Sequence, residues 1–486
     1  MPNCRISGAV VLSLLLVSAG CGNSANQTTT QNTSPGQQNT TEQVTENSAG
    51  QAEGQPESKT SADGKKQKKL TPEQQLTVAF QLHKQGRNRD AMVLVEPLLR
   101  FPEVAARSYA LRGKILSMNN LPKNAISDFG KAIEHNPKEA EYYNTRGFLL
   151  MKTGQPVLAI EDFDQAIELK TDDPKYFNNR ALAKIRLKQY EQAITDLTQA
   201  ITINPQYIEA INNLGYAYSK NGQIDVAIEN FTNAIRIDPE FTNAYNNRAL
   251  ARKQSGDLQG AINDLTRAID LSPLNAGYYK HRAEFYQLLS DHESAQKDEQ
   301  TAIWVTQIQV ITKQLKQNPR SESLWLKRAE LFLSQGNFES SLSDLDKIYQ
   351  LNPKSWEAKL LQAQCMLQQD KPQMALELCN EILAAAQNRG EIQQVAFEAT
   401  TGPETQVIDN AISLRADVFS QLQRYDEAIS DYRAAGRFDL DVATAFWKRG
   451  LQKEQSGDSQ GAEADKQQAL QIDDRVAKIV SETVTQ

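Results

Sequence analysis

Eight arginines in this chain each stand sixteen residues ahead of an aspartate. The pairs are Arg112 and Asp128, Arg146 and Asp162, Arg180 and Asp196, Arg248 and Asp264, Arg282 and Asp298, Arg328 and Asp344, Arg415 and Asp431, and Arg449 and Asp465. A guanidinium and a carboxylate at close range form charge-assisted, bidentate hydrogen bonds. The two residue types also vary together: Leu214 is matched by Asn230, Gln362 by Leu378, and Val78 by Leu94. Joint presence and joint absence predict an ion pair inside one structural unit. Pairing to the preceding unit fits worse, because it would set Arg248 against Asn230.

A second chemistry is carried by amides. Asn144, Asn178, Asn212 and Asn246 recur every 34 residues, and Asn179, Asn213 and Asn247 form the adjoining column. A carboxamide donates and accepts, which suits the backbone of an extended peptide whatever its side chains. Lys152, Arg186 and Lys220 make a parallel basic column. It is suited to acidic side chains or a carboxylate, and equally to the negative end of a helix dipole.

Other chemistries find no support. His83, His135, His281 and His292 fall in different units, with no carboxylate pair or cysteine arranged around them. There is no glycine-rich phosphate loop. Neither catalysis, a cofactor, a metal nor a small-molecule substrate is expected. The net charge of -7 lacks the basic footprint of a nucleic-acid binder. Cys365 and Cys379 are expected as buried free thiols, with a disulfide the alternative in an oxidising compartment.

The elements that position these groups follow from the same period. Small residues recur at Gly113, Gly147, Ala181, Gly215, Ala249 and Ala283, and again at Ala125, Ala159, Ala193, Ala227, Ala261 and Ala295. A third small column is Ala132, Ala166, Ala200, Ala234, Ala268 and Ala302. Phe129, Phe163, Leu197, Phe231 and Leu265 supply bulk, and Tyr109, Tyr143, Phe177, Tyr245 and Tyr279 precede the first small column. Small residues on facing helices permit close approach, and the large ones fill what remains. Gly154, Gly222 and Gly256 sit where the two helices must turn, and Pro137, Pro205, Pro239 and Pro273 close four units. One such hairpin cannot bury its apolar face alone, so neighbours must stack.

These columns resemble the tetratricopeptide repeat. The resemblance covers most of residues 72 to 476 in about eleven units, restarting at "LWLKRAELFLSQGNFESSLSDLDKIYQLNP" (324 to 353) after an extra stretch near 305 to 321. It implies an all-α fold, a right-handed α-solenoid of 34-residue helix-turn-helix repeats. It also implies a concave groove lined by the first helix of each hairpin, with both asparagine columns facing it. Asn179, Asn213 and Asn247 match the asparagine ladder by which some members hold peptide backbones; Thr145 and His281 bound it. The carboxylate clamp of chaperone-binding members is not reproduced.

The N-terminus reads as targeting. "MPNCR" is followed by the short apolar run "ISGAVVLSLLLVSAG" and Cys21. "VSAGC" resembles the bacterial lipobox, with Ser18 in place of the usual leucine. This implies diacylation of Cys21; an ordinary secretory signal cut near Gly20 and an uncleaved anchor are the alternatives. The expected organisation is a signal peptide over 1–20, a disordered tether over 21–70 and a repeat array over 71–309. Further units over 310–389, an inserted loop over 390–408, C-terminal units over 409–476 and a tail over 477–486 follow. The expected function is a lipid-anchored scaffold in the bacterial cell envelope that binds an extended peptide or protein partner. If there are two membranes, Gly22 after the cysteine leans to the outer one. A self-associating structural envelope protein is the alternative.

Overall fold

The computed structural model describes residues 70–388 and 403–484, so Cys21 and the expected leader and tether lie outside the described residues. The described chain is a succession of antiparallel helix pairs stacked in sequence order. The first pair is α1 (Pro72–Lys84) and α2 (Asn88–Val95), the latter running into a 3₁₀ turn, Glu96–Arg100. Then come α3 (Pro102–Met118) with α4 (Pro122–His135), α5 (Ala140–Lys152) with α6 (Pro156–Leu169), and α7 (Pro174–Arg186) with α8 (Tyr190–Ile203). They are followed by α9 (Ile208–Lys220) with α10 (Ile224–Ile237), α11 (Thr242–Ser255) with α12 (Leu258–Leu271), and α13 (Ala276–Leu288) with α14 (His292–Gln317). The later pairs are α15 (Glu322–Leu333) with α16 (Phe338–Leu351) and α17 (Trp356–Gln368) with α18 (Pro372–Asn388). Two more, Pro403–Gln421 with Tyr425–Ala434 and Leu440–Gln455 with Ser459–Ile472, precede a last helix, Val476–Val484.

Each hairpin turn needs one residue with positive φ, because the chain reverses directly after the first helix. Gly154 (81°), Gly222 (82°) and Gly256 (88°) supply it without a steric cost, whereas Lys188 does so at 61°. The turn closes in Schellman fashion: Gln155 N–H bonds Leu150 O and Gly154 N–H bonds Met151 O.

The small columns are buried at the helix crossings, and their sizes are matched to the bulky residue sixteen positions on. Gly113, Gly147 and Gly215 face Phe129, Phe163 and Phe231, whereas Ala181 and Ala249 stand opposite Leu197 and Leu265. A Cβ on Gly147 would lie 2.8 Å from Phe163 Cε1 and 3.1 Å from Ala159 O. Across these five crossings the bulkier phenylalanine is met by glycine and the smaller leucine by alanine, so the volume is shared between the two helices.

Three stretches differ from the linear reading. The extra stretch near 305 to 321 is helical as far as Gln317, lengthening α14 to 26 residues. Of the expected loop at 390–408, residues 403–408 begin the helix Pro403–Gln421, and most of the expected tail is the helix Val476–Val484. None of these carries the 34-residue columns, so periodicity had no hold on them.

Candidate functional site

All eight arginine–aspartate pairs form, and each is bidentate. Arg248 Nε donates to Asp264 Oδ2 at 2.9 Å and Nη2 to Oδ1 at 2.7 Å. The pairs at Arg112, Arg146, Arg180, Arg282, Arg328, Arg415 and Arg449 repeat this fork. The aspartates are buried and the guanidiniums partly so. In the unit with Leu214, Asn230 instead bonds its own helix at Val226 O.

The arginine also does something the sequence argument missed. In Arg180, Arg248, Arg282 and Arg328 the remaining nitrogen donates sixteen residues back, onto the second helix of the preceding hairpin. Arg180 Nη1 donates to Asp164 Oδ1 at 2.7 Å, Arg248 Nη1 to Thr232 Oγ1 at 3.0 Å, and Arg282 Nη1 to Thr266 Oγ1 at 2.9 Å. One side chain therefore closes its own hairpin and stitches it to the last. The aromatic column covers it: Arg248 lies 5.7 Å from the Tyr245 ring centroid and Arg328 4.8 Å from that of Trp325. The same aromatics tie down the preceding inter-repeat turn, since Tyr245 and Tyr279 hydroxyls donate to Pro239 O and Pro273 O.

The asparagines do not all face outward. Asn144, Asn178, Asn212 and Asn246 are buried, Asn246 to 2% exposure, which corrects their assignment to the open face. The reason is the neighbouring repeat. A residue that points away from its own hairpin's core is covered by the first helix of the next one. These four accept hydrogen bonds from the adjoining column: Asn179 Nδ2 to Asn144 Oδ1 at 2.8 Å, Asn213 Nδ2 to Asn178 Oδ1 at 2.9 Å, and Asn247 Nδ2 to Asn212 Oδ1 at 3.0 Å. His281, where the sequence match to the ladder lapses, in fact continues it, its Nδ1 lying 3.0 Å from Asn246 Oδ1. An amide oxygen only accepts, so Nδ1 carries the proton. Burial holds the His281 pKa below its ordinary value, with Lys253 adding to the effect and Glu284 opposing it.

What remains for a ligand is the outer side of the second column. Asn179, Asn213 and Asn247 are half-buried; among the described residues the Oδ1 atoms of Asn179 and Asn213 accept no hydrogen bond and are not sealed from water. Three residues along the same helix stand Leu182 and Tyr216, partly exposed, and four further on Arg186 and Lys220. Spacings of i, i+3 and i+7 place Asn213, Tyr216 and Lys220 on one stripe. The apolar column Phe148, Leu182, Tyr216 and Leu250 was not singled out from sequence, though it follows each small residue directly. Lys152 and Lys220 lie over the rings of Phe148 and Tyr216 at 5.0 and 5.3 Å. Arg186 is partly engaged, Nη1 donating to Met151 O at the end of α5 at 2.7 Å.

Cys365 and Cys379 are free and buried, on α17 and α18. Burial pushes both thiols up, Cys379 to about 12, which keeps them unreactive.

A "TPR repeat" family model matches residues 184–222, and "Tetratricopeptide repeat" models match 140–173, 212–276 and 332–396. No curated protein matches the chain. Among solved structures, MamA (residues 41 to the end) from Desulfovibrio magneticus RS-1 is 20% identical over 35% of this chain and 95% of its own, with a TM-score of 0.32. PilF of Pseudomonas aeruginosa is 16% identical over 54% of this chain and 98% of its own, with a TM-score of 0.35. YrrB, described as a TPR protein with an unusual peptide-binding site, is 17% identical over 47% and 95%, with a TM-score of 0.28. Repeat-length helix pairs, conserved crossings and four family matches along the array lead to one assignment: the chain is a tetratricopeptide repeat protein.

Proposed function

We propose that this protein is a membrane-tethered interaction scaffold in the bacterial cell envelope, anchored through Cys21, and that the first helices α5 to α11 hold an extended segment of a partner protein. The observation that carries the reading is the stripe of amide, apolar side chain and base, complete on α7 (Asn179, Leu182, Arg186) and α9 (Asn213, Tyr216, Lys220) and flanked by Phe148 and Lys152 on α5 and by Asn247 and Leu250 on α11. It fits a strand-like peptide lying across them. Oδ1 of Asn179 and Asn213 would accept from peptide N–H groups, Leu182 and Tyr216 would floor the apolar side chains, and Lys152 and Lys220 would meet acidic ones. The ladder behind prevents the carboxamides from turning, so little rotamer entropy is lost when the peptide binds.

The test uses the exposed positions, because replacing Asn179, Asn213 and Asn247 also strands buried acceptors and so perturbs the fold. Tyr216→Ala with Lys220→Glu leaves every inter-repeat bond in place. Partners crosslinked to the full-length protein in intact cells should be lost with this variant while helicity by circular dichroism is unchanged. An unchanged crosslinking pattern refutes the assigned face. For the anchor, Cys21→Ala should move the protein from the membrane to the soluble fraction and abolish labelling by a palmitate analogue.

A further inference from the structure

Two apolar features lie away from that stripe. The first is a groove of about 600 Å³ between the end of α14 and α15, walled by Val310 and Ile311 on one side and Leu331 on the other. It exists because α14 is longer than its counterparts. In the regular array, one second helix offers both an aspartate to its own hairpin and, two residues on, a threonine to the next arginine, as with Asp264 and Thr266. On α14 these seats are Asp298 and Thr312, so fourteen residues, roughly 21 Å of helix, separate them. The first helix α15 therefore packs beside an extension longer than any other second helix has among the described residues. Val310 remains 50% exposed. Lys327 and Glu330 stand exposed in the α15 wall, and the Glu330 carboxyl has no hydrogen-bond or ion-pair partner among the described residues.

The second feature is Phe438, at 73% the most exposed large apolar side chain described. It sits in the turn between the helices Tyr425–Ala434 and Leu440–Gln455, and that turn is fixed. Arg437 donates to Asp439 Oδ2, Asp417 Oδ1 and Asp441 Oδ2 at 2.7, 2.7 and 2.6 Å, and Asp439 Oδ1 caps the following helix. A ring displayed on a rigid turn loses little entropy on docking. Arg433 and Asp441, both exposed, flank it with charges opposite to those of Glu330 and Lys327.

We propose that the α14–α15 groove receives Phe438 of a second copy of this chain. The contact is heterologous, so each molecule keeps one free groove and one free phenylalanine, and association does not stop at a dimer unless a ring closes. A contact anchored by one side chain belongs to the weak class.

Sedimentation of the full chain in nonionic detergent, from about 10 to about 500 µM to cover weak contacts, tests this. The mean mass of the wild type should climb past the dimer as concentration rises. Val310→Asp and Phe438→Ala should each need at least tenfold more protein to associate, with unchanged circular dichroism because both sites are exposed. An equimolar mixture of the two variants has one intact groove and one intact phenylalanine, and should form a dimer and nothing larger. A monomeric wild type, which would leave the groove to another protein, overturns the proposal. So does association that survives either substitution, or a mixture that stays monomeric.

Discussion

The matched sizes at the helix crossings allow a quantitative test. In Gly147→Ala, the new methyl would meet the Phe163 ring at 2.8 Å and the Ala159 carbonyl at 3.1 Å. Phe163 is fully buried and Ala159 O is backbone, so neither yields readily. Overpacking of this kind costs about 1–3 kcal/mol, and about 2 is a fair middle value for a clash with a ring on one side and backbone on the other. Alanine regains about 1 kcal/mol over glycine in a helix interior, leaving a net loss of about 1 kcal/mol. Phe163→Leu alone removes ring atoms and leaves a partial cavity, a loss of about 1.5 kcal/mol. Combined, the two reproduce the Ala181–Leu197 crossing. The clash disappears, the methyl fills part of the cavity and the helix gain is kept, so the double variant should fall within about 0.5 kcal/mol of the parent. The sum of the singles predicts a loss of about 2.5, so the coupling is about 2 kcal/mol. Repeat arrays need not unfold in one step, so the readout is native-state hydrogen exchange of α5 and α6 amides in the full chain. Additive losses to within about 0.5 kcal/mol, or a Gly147→Ala variant more stable than the parent, would refute the packing argument.

Three further outcomes follow from the polar stitches. Arg248→Leu and Asp264→Asn should each cost about 2–3 kcal/mol, since Asp264 keeps Arg252 at 2.9 Å and is not fully orphaned. Together they copy the Leu214–Asn230 unit, and hydrogen exchange should show a coupling of about 2 kcal/mol; a value under about 0.5 would sink the pair as a unit. His281 has a depressed pKa through burial, so its contribution is present above the unfolded value near 6.5 and lost as pH falls through the folded one. His281→Asn preserves a ladder donor, and its melting temperature should drop less than that of the wild type between about pH 7.5 and pH 5. For Asp465, burial alone would raise the pKa, but hydrogen bonds from Arg449 and Lys453 outweigh it and the net shift is downward. Its stabilisation is therefore present above the usual carboxylate pKa near 3.9 and fades as pH falls further, so α-helical exchange protection in 440–472 should weaken there more in wild type than in Asp465→Asn.

The hairpins and the ion pairs were legible because each repeat is a repeated experiment on one geometry. Eight joint presences and three joint absences define a contact that one unit would not. Legibility failed where the deciding partner lay in the next repeat. The direction of Asn246 was read from one hairpin, in which it does point away from the core; the first helix of the following unit then covers it. The third arm of Arg180, Arg248, Arg282 and Arg328 was missed for the same reason, although the column Asp164, Thr198, Thr232 and Thr266 runs at the same period. The helical extension of α14 carries no repeat columns, and neither does residue 438. Features that occur once have no internal comparison to reveal them.

The two stitches differ in extent. The arginine clamp recurs from Arg112 to Arg449, across hairpins of otherwise different sequence. The amide ladder runs only from Asn144 on α5 to His281 on α13. At the register of Asn179, other units carry Leu111, Thr145, Lys327, Leu414 and Lys448, and their hairpins close and stack without an amide there. The ladder is therefore not a requirement of the repeat. In the unit that lacks the clamp, Asn213 still donates to Asn178 of the preceding hairpin and Asn212 still accepts from Asn247 of the following one, so the ladder persists where the structural stitch has been given up. Among the described residues this polar network is kept in one block of first helices beside exposed Tyr216 and Lys220, which is the distribution the proposed peptide-binding face calls for.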